Sequence, residues 1–357
     1  MSLRVAHVNV AKGYRGGERQ TELLMTGLAG RIEQVLVARR GQPLAERVRG
    51  LPVEVRLVGG HAPGVAAALG GVDIVHVHEG RSVYAAYLRR CLGGPPYIVT
   101  RRVDNPIRRH RLAYRAYRGA ARIVAVAPQV GDVVRDFDPG LEVDVIHSSS
   151  SGFSVDAERS AAIRRAFRAE IVVGNVAALD NAQKAQEHII EVARRMQGTH
   201  PHVRFVLVGG GRDEAMLKEA ARGLDNLSFA GFVDNVGDYL AAFDIFVLSS
   251  RREGIGSVLL DAMEQRLPIV ATRVGGVPEI VLDGVNGVLV DPERPDQLHH
   301  AIVRLVASPE LRRQLGEEGP RIASRFTTDV MCGKYLDLYY SIAAAGARAD
   351  KMRMTRG

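Results

Sequence analysis

Residues 249–263 read Ser-Ser-Arg-Arg-Glu-Gly-Ile-Gly-Ser-Val-Leu-Leu-Asp-Ala-Met, which places two carboxylates and two glycines around one turn. The apolar run Ile245–Leu248 before it predicts a strand. The run from Val258 predicts a helix, and Leu267–Thr272 predicts the next strand. Glycines at a strand-to-helix turn let the backbone approach a ligand closely, and the N–H groups and dipole at a helix start favour a phosphate. On this reading Gly254, Ile255, Gly256 and Ser257 offer backbone donors to an anion. Glu253, at the lip of the loop, can accept hydrogen bonds from sugar hydroxyls. Asp261, about a turn inside the helix, can hold a hydroxyl pair such as that of a ribose. The same spacing also describes a plain tight turn with a solvated Glu and Asp, common in α/β folds.

The elements that must position these groups follow an alternating grammar. In the first half, apolar β-rich runs occur at Arg4–Val10, Gln34–Ala38, Val53–Leu57, Ile74–His78, Tyr97–Thr100, Ile123–Ala127 and Val143–Ile146. Amphipathic stretches such as Gly17–Ala29 and Arg108–Ala121 lie between them. The second half repeats the pattern: Ile171–Asn175, helix Gln186–Met196, Val203–Val208, helix Asp213–Arg222, then Leu227–Ala230, Ile245–Leu248, Ile269–Thr272 and Gly287–Val290. Continuous apolar strands alternating with helices predict parallel sheets covered on both faces. At 357 residues the chain fits two domains. The expected partition is 1–165 and 166–327, with a helix at about 328–345 packing back on the first domain and a polar, frayed tail at 346–357. Ligands of open parallel sheets bind outside the carboxyl ends of the strands, so two such sheets facing one another would enclose a cleft.

Composition narrows the class. Hydrophobic residues make up 46% and charged residues 25%, which excludes a disordered chain. No apolar run reaches membrane-spanning length. Residues 1–8 enter a strand-like run with no signal-peptide pattern, and Cys91 and Cys332 are the only cysteines, so a cytoplasmic protein is expected. Residues 1–168 hold 26 Lys and Arg against 15 Asp and Glu, net +11, whereas the remainder is net −3, consistent with the total of +8. A basic half suits an anionic partner.

Arg108, Arg111, Arg115, Arg118 and Arg122 recur at steps of three and four, which on one helix makes a single basic face. That face is either solvated or fitted to an anionic lipid surface or an anionic glycolipid acceptor. No nucleic-acid motif accompanies it. Gly209-Gly210-Gly211 lacks a dinucleotide fingerprint and reads as a tight turn. Ser148–Ser151 reads as an interdomain loop. His76 and His78 alternate with valines on one strand, and His78 falls at its carboxyl end. No His or carboxylate set has metal-ligand spacing, so no metal is expected.

Taken together, the segment around Glu253 resembles the signature of retaining family 4 glycosyltransferases of the GT-B fold. Gly275–Ile280, Asn286–Val290 and Phe229–Val233 are similar to further segments of that family. The resemblance implies two Rossmann-like parallel-sheet domains, the second binding a nucleotide-diphosphate sugar such as a UDP- or GDP-sugar. It implies Glu253 and Lys184 as catalytic groups. It places the Gly254–Ser257 backbone and Asp261 on the donor, and Phe232 at the strand end that meets the nucleobase. Gly16 and Gly17 resemble the glycine-rich turn of the first domain, which with His78, Arg101 and Arg102 would present the acceptor, a glycan or a lipid-linked glycan. No cofactor is implied. Some lipopolysaccharide-type relatives carry a segment similar to Arg101-Arg102-Val103-Asp104, which marks a subfamily, and the expected location is the cytoplasm, with the inner face of the cytoplasmic membrane as an option. The sequence departs from the family pattern at Ala178, where a diphosphate-binding Arg is usual, at Asp261, where Glu is usual, and at Ala185, where Gly is usual. Arg15, Arg251 and Arg252 are the candidates to replace the missing cation. The alternative is a non-catalytic protein of the same fold that binds a sugar nucleotide or a glycan.

Overall fold

The computed structural model describes residues 2–354, with side chains through 346. It contains two parallel sheets. The first comprises β1 Arg4–Asn9, β2 Glu33–Arg39, β3 Val53–Val58, β4 Ile74–Val77, β5 Tyr97–Arg101, β6 Arg122–Ala125 and β7 Val143–Val145, in the order β3-β2-β1-β4-β5-β6-β7. The second comprises β8 Ile171–Val176, β9 Val203–Val208, β10 Leu227–Gly231, β11 Ile245–Leu248, β12 Ile269–Thr272 and β13 Gly287–Val290, in the order β10-β9-β8-β11-β12-β13. In both sheets the order reverses beside the first strand, where ligands of doubly wound folds sit.

The central strands are short and Val/Ile-rich because both of their faces are buried. Val5, Val8, Val35, Val37, Ile74 and Val77 are at most 1% exposed, as are Val173, Phe205, Ile245, Phe246 and Ile269. In the second sheet, Ile189, Val192 and Met196 of the helix Gln186–Met196 cover one face, and Leu259, Leu260 and Met263 of the helix Val258–Glu264 cover the other.

The chain forms two compact units, Met1–Ser149 with Thr327–Gly357, and Ser150–Phe326. The observed boundary lies upstream of 165 because the helix Ala157–Phe167 belongs with the second sheet, where Phe167 stacks near Phe243. The helix Thr328–Met354 buries Met331, Cys332, Tyr335 and Tyr339 against Leu24, Val5, Ile74 and Ile98 of the first unit. It runs on through 346–354, where a frayed tail is expected from the sequence, and residues 355–357 lie outside the described residues.

The five-arginine face does not form. The helix spans only Arg111–Arg118. His110 caps its start, its Nδ1 accepting the Ala113 N–H at 3.2 Å, and Gly119 ends it. Arg108 therefore precedes the helix and Arg122 opens β6. Arg118 pairs with Asp138 at 2.6 Å and Arg122 with Asp144 at 3.9 Å. What remains is a cluster of exposed Arg108, Arg109, Arg111 and Arg115 beside Leu112, itself 48% exposed.

Candidate active site

In the second unit the loop after β11 is fastened from several sides. Ser249 Oγ donates to the carbonyls of Lys184 and Ala185, each at 3.0 Å. The Arg251 N–H donates to Gln183 O at 2.8 Å, and Thr272 Oγ1 to Ser250 O at 2.6 Å. The Gly276 N–H donates to Gly254 O at 2.8 Å. These bonds draw the segment Asp180–Ala185, the loop 249–256 and the turn 274–276 into one frame.

Within that frame Lys184 forms an ion pair with Glu253, and Ser250 Oγ donates to the same carboxylate oxygen at 2.7 Å. The two side chains are 18% and 7% exposed. Glu253 is thus not the solvated lip residue expected from the sequence: long-range pairing pulls it inward, and its backbone lies directly against Gly275. Asp261 is also buried, and its Oδ1 accepts the Ser151 N–H. Ile255 packs in the core, whereas Gly256 takes φ +68° and, with Ser257, keeps the turn partly open ahead of the helix. The N–H groups of a helix's first turn lack intrahelical acceptors, so this turn can still receive an anion.

The departures from the family pattern acquire structural content. Ala185 is fully buried at φ +48°, a left-handed conformation that glycine adopts without strain. Arg251 cannot serve as the second diphosphate cation while it is engaged as here: its guanidinium is shared among Glu187, Glu293 and the Asn181 carbonyl. Burial and these two carboxylates set its environment, the carboxylates holding its proton more tightly. Arg252 is exposed on the same loop, and Arg15 is exposed in the first unit. The glycine triplet is more than a turn. Gly209 takes φ +136°, and side chains at Gly209 and Gly211 would strike the Ala177 and Leu179 carbonyls. Phe232 follows β10 and is 67% exposed, an aromatic face without a hydrophobic cover.

In the first unit, β1 and β4 pair with His7 beside His76, and His78 follows two residues on. All three imidazoles are buried. His7 Nδ1 and His78 Nε2 are 3.1 Å apart. His76 bonds Tyr339 Oη at 2.6 Å and Thr100 Oγ1 at 2.7 Å. Burial pushes His7 down to about 3 and holds His76 and His78 well below the usual imidazole value, so all three are neutral. Their ligand atoms lie within 4.8 Å of one another, the grouping most able to hold a metal among the described residues. The Arg102 guanidinium beside them opposes a cation, however, and His76 already has a partner at each nitrogen. Sequence reasoning missed His7 because only strand register brings it to His76.

Arg101 and Arg102 diverge. Arg101 is spent on its own loop, donating to Asn105 O at 2.6 Å and toward Val103 O and Tyr117 Oη. Arg102 turns toward His78 and Ser148, at 3.3 and 3.4 Å. Gly16 and Gly17 open the helix Gly16–Gly27, whose Glu18 accepts the Arg15 N–H at 2.9 Å. Ser148–Ser151 is an irregular buried segment, Ser149 exchanging two hydrogen bonds with Gln20.

Residues 14–150 match the family model "Glycosyltransferase Family 4", and residues 170–308 match "Glycosyl transferases group 1". The chain is 30% identical over 235 residues to the lipopolysaccharide core biosynthesis glycosyltransferase LpsE of Rhizobium meliloti, covering 65% of this chain and 67% of that one. The chain belongs to this glycosyltransferase family. The enzyme is also 27% identical over 303 residues to the alpha-D-kanosaminyltransferase of Streptomyces kanamyceticus, covering 75% of this chain and 77% of that one. Its fold is that of the GT-B glycosyltransferases. HepE from Anabaena, solved in complex with UDP-glucose, superposes with a TM-score of 0.84 over 95% of this chain and 100% of that one, at 17% identity. No helix of the described residues is long and apolar enough to cross a membrane.

Proposed function

We propose that this glycosyltransferase moves a sugar, with retention of anomeric configuration, from a nucleotide-diphosphate sugar of the UDP or GDP type to a hydroxyl of a glycan or lipid-linked acceptor in cell-envelope polysaccharide or lipopolysaccharide synthesis. The observation that carries this reading is the Lys184–Glu253 pair set in the glycine turn beside the helix Val258–Glu264. Support also comes from LpsE, whose name places it in lipopolysaccharide core synthesis, and from HepE, which was solved with UDP-glucose.

In the proposed reaction the bond from the sugar's anomeric carbon to the diphosphate oxygen breaks. A bond to the acceptor oxygen forms on the same face, and the acceptor's proton leaves with the diphosphate. Lys184 and the Gly254–Ser257 N–H groups stabilise the charge that develops on the diphosphate, an electrostatic contribution that needs no cofactor. Glu253 orients Lys184 and meets the sugar hydroxyls. Asp261 faces the ribose, Phe232 lies beside the nucleobase, and the first unit presents the acceptor through Gly16, Gly17, His78 and Arg102.

The test is binding and turnover together. Nucleotide-diphosphate sugars that bind should raise the melting temperature in proportion to their affinity. The same sugars should transfer to envelope glycan acceptors. Binding without turnover on any acceptor would favour the non-catalytic alternative. Lys184→Ala should weaken a nucleoside diphosphate about tenfold to a hundredfold, from the loss of a charge-assisted contact, and leave the nucleoside nearly unchanged. Equal weakening of both ligands in calorimetry would remove Lys184 from the diphosphate.

The exposed Arg108, Arg111 and Arg115 beside Leu112 fit an anionic membrane surface at the inner face of the cytoplasmic membrane. Each gains about 1 kcal/mol there. Replacing these three by Gln should lower affinity for anionic vesicles roughly a hundredfold in low salt. Binding of wild type should fall in high salt as screening shortens the field. Sedimentation with phosphatidylglycerol vesicles in which the triple variant matches wild type would return this cluster to a solvated surface.

A further inference from the structure

Lys184 ends a helical turn of only four residues, Asn181–Lys184, too short to hold its shape alone. The last carbonyls of a helix lack intrahelical donors, and here the loop after β11 supplies them. Ser249 Oγ donates to Lys184 O, and the Arg251 N–H donates to Gln183 O. The Arg251 side chain adds one bond more, its Nη1 donating to Asn181 O at 2.6 Å. The same carbonyl accepts the Ala185 N–H at 2.9 Å. Asn181 O therefore ties the start of the turn to its end, and the guanidinium caps that junction.

The guanidinium is itself gripped from two other elements. Its Nε and Nη2 meet the two oxygens of Glu293, which follows β13, in a bidentate pair. Its Nη2 also meets Glu187, in the first turn of the helix Gln186–Met196. Glu187 in turn accepts from Asn181 Nδ2, and its N–H donates to Asn181 Oδ1 at 3.1 Å. A planar fork held at both tines has a fixed orientation, which a lysine ammonium would lack.

Stability alone accounts poorly for this grip. The Glu187 and Glu293 side chains are 41% and 55% exposed, and ion pairs so open to water add little to stability. Glu293 also takes φ +59°, a left-handed conformation that glycine adopts freely and an L side chain does not. Ala185, beside Lys184, is held at φ +48°. Strained residues of this kind persist where the surrounding structure imposes them, and they gather at sites that must be preorganised.

We propose that Arg251 is a positioning residue for the nucleotide diphosphate, bridging Glu187, Glu293 and the Asn181 carbonyl so that the turn presents the Lys184 ammonium at a fixed place. This rests on the reading of Lys184 as the cation that meets the diphosphate. Arg251 touches no phosphate itself; it acts through Lys184.

The experiment measures the binding of UDP and GDP to the full chain by calorimetry, using whichever binds wild type more tightly and its nucleoside as the control. Arg251→Met should weaken the nucleoside diphosphate about tenfold and the nucleoside by less than about twofold. Arg251→Lys keeps the charge without the fork and should recover only part of the loss. In a Lys184→Ala background, Arg251→Met should weaken the diphosphate by less than about twofold more, because the two residues act as one unit. Glu293→Gly relieves the left-handed backbone and removes the bidentate partner. It should melt no lower than wild type and still bind the diphosphate more weakly. A merely structural clamp predicts the reverse, a lower melting temperature with unchanged affinity, and that result overturns the role. Equal affinity in Arg251→Met and wild type overturns it too. A full tenfold loss from Arg251→Met without Lys184 places the guanidinium on the phosphate and also overturns it. These failures leave the donor reading intact. Wild type that binds neither nucleotide overturns the donor reading itself, and the positioning role falls with it.

Discussion

Glu253→Gln should reduce turnover about a hundredfold or more and also destabilise the fold by about 3 kcal/mol. The second effect distinguishes the observed site from a carboxylate on an open loop. Glu253 takes the Lys184 ammonium and the Ser250 hydroxyl within a frame that leaves its side chain 7% exposed. An amide at 253 leaves Lys184 facing a neutral group, and a shielded ammonium without its counter-charge is costly. The loss of rate has a separate cause: Lys184 would no longer be held toward the departing diphosphate. A double-mutant cycle with Lys184→Met separates the two effects. The double variant should be less destabilised than the sum of the single variants, since it removes both charges. Turnover should be lost in all three. Urea unfolding in which Glu253→Gln matches wild type, or wild-type rates in the variant, would show that the pair does not do this work.

Gly275→Ala should be the most disruptive single methyl group near the site. Gly275 takes φ +48°, and a side chain there would lie 1.8 Å from the Glu253 carbonyl oxygen. The left-handed conformation costs an L-residue about 1–2 kcal/mol, and overpacking adds about 1–3 kcal/mol. The carbonyl cannot yield without moving Glu253 off Lys184 and disturbing the 2.8 Å bond from the Gly276 N–H to Gly254 O. Stability should therefore fall by about 3–5 kcal/mol, and the folded fraction should bind the donor poorly. Gly284→Ala is the control. Its φ is +76°, but a side chain there meets nothing within 4 Å, so only the conformational cost of about 1–2 kcal/mol applies. Denaturation midpoints that place the two variants level would remove the steric argument.

Much of the fold was legible because the evidence for it is local. Val203–Val208, Ile245–Leu248, Ile269–Thr272 and Gly287–Val290 are apolar runs bounded by polar or turn-forming residues, and each is a strand over those bounds. A strand buried on both faces can hardly be written any other way in a soluble protein. The Arg111–Arg118 helix marks the limit of that reasoning. A three-four repeat describes a face only where the helix runs, and the His110 cap and Gly119 confine it to eight residues, excluding Arg108 and Arg122.

The candidate site divides along the same line. Gly254, Gly256, Glu253 and Asp261 were visible because one strand–turn–helix segment carries them all. Their present partners were not. Lys184 lies 69 residues from Glu253, Ser151 lies 110 from Asp261, and His7 lies 71 from His78. The sequence by itself determined the strands, the alternation that builds two parallel sheets and the chemistry-bearing turn. Only the tertiary structure decided that Glu253 is buried on Lys184, that Arg251 is taken up by Glu187 and Glu293, and that Arg102 meets His78 and Ser148. Apolar periodicity follows from burial along one segment. The partner of a charge depends on sheet order and register, which are settled by packing across the whole unit.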